Sequence, residues 1–395
     1  MDVQGRTATR YLMGTACAGL FTFGILTSFL GATLPELSLR LHFDLARGGA
    51  LFACLYFPQI PMVFLAGPLI DRFGKKPLLA GGSLLCAAAL LGIAYAPSYG
   101  VMAALLIALG LGGSSCMTAS NTLIPDLYPE NPSSALNLGG VSYGVGAIFF
   151  PWLVALMAER LGLVPTLWVI TLLVAGVGVV ALGQRFPPAG AGEGFDWREA
   201  RRLALNPGVI ILAIVLFLYS SLEVSTSGWV RLYVERDLGA SAHISKIIFT
   251  IFWVAMMVGR LAASQIVKFV RSPDLLLGVS LGALGGLLLV TTAHSLAVAV
   301  AGLMICGLTY APFFPCTAGT ASSYFPKFFG TVFGIIMASG LAAGVVLPPI
   351  IGYVARSTTV RAGLWLVVAT AVLLIAAQAV FLVYERRRLL QGSRQ

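Results

Sequence analysis

Charge is scarce in this chain. Only 10% of its 395 residues are Asp, Glu, Lys or Arg, while 58% are hydrophobic; an ordinary soluble domain carries about 25% charged residues. A soluble fold must keep a polar surface, so this balance excludes one. Histidine is almost missing. His42, His243 and His294 stand far apart near the ends of apolar runs, which argues against a metal site. The six cysteines, Cys17, Cys54, Cys86, Cys116, Cys306 and Cys316, contain no Cys-x-x-Cys and read as small apolar packing residues. No phosphate-binding G-x-x-x-x-G-K-S/T loop is present, which disfavours an ATP-driven pump. No activated Ser/His pair, His-rich cluster or pair of mid-membrane acids is present either, which argues against a membrane enzyme. No cofactor is expected.

What the chain does have is a series of long apolar runs, each long enough to cross a bilayer as a helix. They place spans near 11–35, 48–70, 77–96, 100–124, 134–158, 164–183, 208–233, 244–267, 274–292, 296–322, 328–354 and 362–384. The first run is too long for a signal-peptide core and lacks a small-residue cleavage site, so it reads as a retained span. The expected fold class is an all-α membrane protein of twelve transmembrane helices in two pseudo-symmetric six-helix bundles. The formal charge of +10 reports orientation rather than nucleic acid. With the N-terminus inside, cytoplasmic segments carry 16 Lys/Arg and the opposite loops 8. The bias predicts a multi-pass protein of the cytoplasmic membrane with both termini in the cytoplasm. Arg260 alone among the basic residues is assigned to a span interior.

The only long hydrophilic break is 184–207, a Pro/Gly linker followed by a short amphipathic stretch with Trp197, Arg198, Arg201 and Arg202, suited to the membrane surface. It divides the chain into an N-terminal bundle (1–183), the linker (184–207), and a C-terminal bundle with a basic tail (208–395). The halves repeat. Gly110, Leu111, Pro129, Ser142 and Pro151 recur as Gly307, Leu308, Pro326, Ser339 and Pro348, at a constant offset of 197. Repeated six-helix halves are a plan of alternating-access transporters, which bind solute between the halves at mid-membrane.

After the second span comes GPLIDRFGKK, with Gly67, Asp71, Arg72, Gly74, Lys75 and Lys76. Gly67 permits close helix approach and Gly74 a tight turn. This loop resembles the signature loop of the major facilitator superfamily, and the resemblance extends over the whole chain. It implies a gating role for those six residues. The same role is implied for Gly259 and Arg260 in the decayed second copy, GRLAASQIVKFVRSPDLL. A narrower resemblance is to the fucose–galactose–glucose:proton symporter branch, carried by ALNLGGVSYGVGAIFFP (135–151), YSSLEVSTSGWVRLYV (219–234) and that second copy. The branch implies roles for Glu223, Gly228, Trp229 and Tyr233 in the seventh span and for Asn121 and Asn137. The chain departs from it in the first span, where Gly31 stands in place of an acid. The fourth span also lacks one.

Glu223 stands alone among apolar and hydroxyl side chains, about 4–5 Å past the midpoint of its span. Ionisable groups at such depth mark ion or substrate pathways; the bland alternative is a protonated, hydrogen-bonded structural glutamate. Its helical face carries Tyr219, Ser220, Thr226 and Ser227. Gln59, Asn121, Asn137, Tyr143, Trp253, Tyr310 and Thr317 are the other expected cavity residues, their amides, hydroxyls and rings suiting a polyol. Gly140/Gly144, Gly330/Gly334 and Gly340/Gly344 are expected to pack their spans tightly. Pro58/Pro61 and Pro312/Pro315 are expected to bend theirs.

The reading is a secondary transporter for a small neutral polar solute, a sugar, acting as a monomer in the bilayer and taking protons as coupling ion through Glu223. The alternatives are an efflux antiporter for lipophilic compounds, disfavoured by the absence of a G-P-x-x-G-G run, and an uncoupled uniporter. An anion exchanger is disfavoured because Arg260 is the only deep cation in this reading.

Overall fold

The computed structural model describes residues 3–128, 132–187, 197–267, 269–325 and 329–392. Those residues form helices and connecting turns without a strand. In chain order the helices are α1 (Val3–Leu41), α2 (Leu45–Tyr56), α3 (Gln59–Phe73), α4 (Lys75–Tyr95), α5 (Tyr99–Leu127), α6 (Pro132–Leu161), α7 (Leu163–Gly183), α8 (Trp197–Ala204), α9 (Pro207–Arg236), α10 (Ala242–Ile266), α11 (Ser272–Thr292), α12 (Leu296–Tyr310), α13 (Phe313–Tyr324), α14 (Phe329–Ser357) and α15 (Val360–Gly392). Among the described residues twelve segments are long and apolar enough to cross a membrane. Two expected bends are breaks: the second span is divided between α2 and α3 at Phe57–Pro58, and the tenth between α12 and α13 at Ala311–Pro312. Proline cannot donate to the preceding turn, and in both places a new helix starts directly after it.

Local chemistry explains the ends. Ser98 and Ser295, equivalent positions in the two halves, cap α5 and α12 by accepting from the Val101 and Val298 amides at 3.4 Å. Ser241 caps α10, and Asn206 caps α9 with Pro207 in its first turn. Gly74, at φ +80°, closes α3 and opens α4 in a conformation that only glycine adopts cheaply.

The chain divides into two compact units, residues 1–44 with 51–195, and 45–50 with 196–395. In the first, α1 runs along α6, and α4 packs between α5 and α7. In the second, α9 runs along α14, and α11 packs between α12 and α15. The second set repeats the first, helix for helix. The duplicated glycines show why: a Cβ on Gly110 would lie 2.2 Å from the Leu55 carbonyl oxygen, and one on Gly307 2.6 Å from that of Phe252. Both partners of each contact are displaced by the same offset, so the repeat preserves a helix crossing and not only a residue type. Trp168 and Trp365 repeat in the same register and stay half-exposed, as rings at a membrane interface do.

Other glycines behave differently from expectation. Gly140 and Gly334 have open space around them, whereas the close crossing of α1 and α6 runs through Gly24 and Gly146, whose added Cβ atoms would meet the backbone of Tyr143 and Phe21. Gly340 does pack tightly, against Ser220 and Leu216 of α9. The surroundings of Gly330 lie outside the described residues. An i, i+4 glycine pair marks a face, but what stands opposite decides whether that face is used.

Candidate functional site

Glu223 sits one to two residues past the centre of α9, about 2 Å along the axis. That is nearer the middle than the sequence placed it, because α9 continues past 233 to Arg236. The side chain is buried, 8% exposed. It lies within electrostatic reach of Tyr219, one turn back, and of Arg260 on α10. The Tyr219 ring stacks on Phe313, at the start of α13, with centroids 5.0 Å apart and planes 14° apart. One turn in the other direction, Thr226 Oγ1 lies 3.1 Å from Tyr310 Oη, at the end of α12. Phe252 of α10 then meets Tyr310 and Trp253 edge-on.

The break between α12 and α13 shapes this cluster. It places Tyr310 and Phe313, on either side of Pro312, against the same stretch of α9. The buried Trp253 Nε1 and Thr317 Oγ1 have no hydrogen-bond partner. A buried polar atom left unpaired costs about 1–3 kcal/mol, so both atoms are candidates for pairing with a ligand.

Not every expected residue belongs there. Ser220 points to α14, where its Oγ would be 3.0 Å from a Cβ on Gly340. Trp229, six residues beyond Glu223 and so on another face, seats its ring edge beside Gly352 of α14. Tyr233 donates to the Val290 carbonyl at 2.5 Å, so it holds the end of α11. In the first unit, Gln59 is fully buried directly after the Pro58 break; its Nε2 donates to Leu55 O at 2.9 Å and its Oε1 has no partner. Ser114 of α5 donates to the Gln59 carbonyl at 3.3 Å. Asn121 is half-buried on α5. Tyr143, half-buried on α6, packs its ring 5.8 Å from that of Phe23. The side chain of Asn137 lies outside the described residues.

The account of deep cations needs correction. Arg231 and Lys246, counted above with the loops, lie within α9 and α10 at 1% and 4% exposure. Arg231 pairs with Glu235 at 3.1 Å, and Ser245 also donates to Glu235. Arg260, half-buried on α10, is therefore not the only cation within a span. Arg231 and Lys246 both lie inside the apolar windows 208–233 and 244–267, close enough to the window ends to be counted with the connecting loop.

At the signature loop, Gly74 supplies the turn, Arg72 lies over the Phe73 ring at 5.1 Å, and Lys75 pairs with Asp126 at the end of α5. The surroundings of Gly67 and Asp71 lie outside the described residues. In the second unit Gly259 brings α10 against α12, its Cβ position 2.5 Å from the Leu308 carbonyl oxygen. Arg271, next to the position equivalent to Lys75, pairs instead with Glu385 of α15, which also accepts from Tyr324 at 2.7 Å. Asp126, Tyr324 and Glu385 were not singled out in the sequence, because their partners are remote along the chain. Among the described residues no three His, Cys, Asp or Glu side chains gather as a metal site would need.

Comparison with known proteins agrees with this architecture. The chain is 21% identical over 376 residues to an uncharacterised MFS-type transporter, YfkL of Bacillus subtilis, covering 93% of this chain and 95% of that one. It is 24% identical over 250 residues to a TsgA homolog of Erwinia tasmaniensis, covering 62% of this chain and 63% of the relative. Among solved structures, a D-xylose–proton symporter superposes with a TM-score of 0.79 at 16% identity, covering 94% of this chain and 97% of its own. A mutant form of the nucleoside transporter NupG gives 0.78 at 16% identity, with 95% and 99% covered. These identities establish a shared fold. The family model described as Major Facilitator Superfamily matches residues 16–327 and again 212–394, and the chain is a multi-pass membrane transporter belonging to that superfamily.

Proposed function

We propose that this transporter moves a small neutral polar solute, a sugar or a sugar-bearing compound, with Glu223 as the acid that couples transport to protons. The observation that carries the reading is the cluster around the centre of α9. There one carboxyl, two tyrosine hydroxyls, an indole N–H and a threonine hydroxyl stand among stacked rings. Hydroxyl and amide groups match the donors and acceptors of a polyol, and rings match its apolar face. The named substrates of two structural neighbours, D-xylose and nucleosides, both contain a pentose and support this class. In the first unit, Gln59, Asn121, Asn137 and Tyr143 are proposed as further solute-binding residues. Gly67, Asp71, Arg72, Gly74, Lys75 and Lys76, with Gly259 and Arg260, are proposed as gating elements. The functional divisions are the bundles 1–183 and 208–395 joined by 184–207. The excess of Lys/Arg on one side supports a cytoplasmic location for both termini, and the protein is proposed to work as a monomer in the cytoplasmic membrane.

Arg260 favours a second reading. A permanent counter-charge near Glu223 suits a fixed solute ligand, and hence facilitated transport without ion coupling. Counterflow of labelled hexoses, pentoses and nucleosides into proteoliposomes tests the shared part of both readings. Exchange of at least one such class is expected; exchange confined to lipophilic cations would overturn the neutral-solute assignment.

A further inference from the structure

The third and fourth spans carry a pair of free thiols outside the proposed solute site. Helices α4 and α5 cross antiparallel at two glycines. A Cβ on Gly82 would lie 2.7 Å from the Gly112 carbonyl oxygen, and a Cβ on Gly112 would lie 2.7 Å from that of Gly82. One helical turn from each glycine stands a cysteine, and each reaches over the glycine of the facing helix. Cys86 Sγ is 2.7 Å from the Cβ position of Gly112, and Cys116 Sγ is 3.1 Å from that of Gly82. Each thiol donates to a carbonyl of the facing helix, Cys86 to Leu109 O and Cys116 to Leu79 O, both at 3.7 Å, and the two are near enough to interact with each other. Both are buried, at 1% and 0% exposure. Ser83 Oγ lies 3.3 Å from the Cys116 sulfur.

We propose that Cys86 and Cys116 form a two-coordinate site for one soft, closed-shell metal cation, bound between α4 and α5, with the mercuric ion as its best-matched occupant. Three features select this class. Thiolate is a soft ligand, so the site discriminates against magnesium, calcium and manganese. No third His, Cys, Asp or Glu gathers with the pair among the described residues, so four-coordinate zinc is excluded. The site lies between two apolar spans, which favours a product without net charge. Mercuric chloride, itself neutral and able to enter a bilayer, reacts with two thiols. Two S–H and two Hg–Cl bonds break, two Hg–S bonds form, and two protons leave with two chlorides. No electron is transferred, and the site is neutral before and after.

The test is titration of purified protein with mercuric chloride, in a background where the half-buried Cys17 and Cys54 are replaced by serine and the buried Cys306 and Cys316 by alanine. One ion per chain is expected, with simultaneous loss of two titratable thiols and a rise in the thermal unfolding midpoint. Adding Cys86→Ser or Cys116→Ser leaves a single thiol and removes the chelate, so affinity should fall roughly 100-fold or more. Unchanged affinity in either variant would overturn the proposal, as would loss of both thiols without bound metal, which signals a disulfide instead. X-ray absorption at the mercury edge on the same background protein, with one equivalent of mercury, gives a check independent of the Cys86 and Cys116 variants. Two sulfur neighbours in a linear arrangement agree with the site, and one sulfur with one chloride contradicts it.

Discussion

Thr317 and Trp253 are the residues at which a structural and a functional account diverge. Each buries a polar atom with no partner, a cost that a protein serving only its own stability would remove. Thr317→Val keeps the shape and deletes the hydroxyl. It should hold or raise the unfolding midpoint while weakening solute binding about tenfold, the equivalent of one hydrogen bond of about 1.4 kcal/mol. A binding isotherm beside a thermal scan checks both halves of that statement; unchanged binding would remove Thr317 from the site. Tyr310→Phe acts in the opposite sense. It strands Thr226 Oγ1, its partner at 3.1 Å, and should lower stability by about 1 kcal/mol as well as weaken binding. The carboxyl at Glu223 and its neighbours on one face of α9 were legible in the sequence, since helical period alone brings 219, 223 and 226 together. Phe313 and Phe252 were not, because their place depends on how α10 and α13 lie against α9.

At the scale of helices, the two units show what repetition keeps and what it discards. Gly110 and Gly307 keep the same crossing in both. Gly110→Ala and Gly307→Ala should each cost about 1–3 kcal/mol by forcing backbones apart, whereas Gly140→Ala, in open space, should be neutral or stabilise by up to about 1 kcal/mol. Equal effects at all three positions in thermal unfolding would contradict the crossing argument. The charged clasps have diverged. Arg40 of α1 donates to the Ile93 and Ala94 carbonyls at the end of α4, at 2.7 and 2.9 Å. At the equivalent end of α11 the donor is Arg361 of α15, 2.7 Å from Ala293 O, and Asp237 stands at the position equivalent to Arg40. In the second unit α11 and α15 are also joined at their other ends by Arg271 and Glu385. Arg361→Met should therefore destabilise the protein by about 2 kcal/mol through the lost charged hydrogen bond. The broken spans were readable from Pro58 and Pro312, since proline acts through its own backbone. The clasps were not, since a basic residue near a span end looks the same whether it meets water, lipid or a carbonyl.

For the whole molecule, twelve spans, their repetition and the superfamily followed from apolar runs, a constant offset and one loop. The buried Arg231 and Lys246 escaped that reading because a charge within a few residues of a span end is counted with the loop, although the helix packing around it buries it. Orientation rests on the surplus of Lys and Arg on one side. A reporter fused after Gln395 should read as cytoplasmic, and one inserted near Gly239 as external; the reverse pattern would overturn the charge argument. The most direct test of the central claim is solute uptake into proteoliposomes driven by a pH gradient, compared between the unaltered protein and Glu223→Gln, with counterflow measured on both. Glutamine is nearly isosteric and permanently neutral, so the account predicts that the variant retains counterflow and loses pH-driven accumulation. Uptake by the unaltered protein that is indifferent to the gradient, or a variant that accumulates solute as well as the unaltered protein, would contradict it.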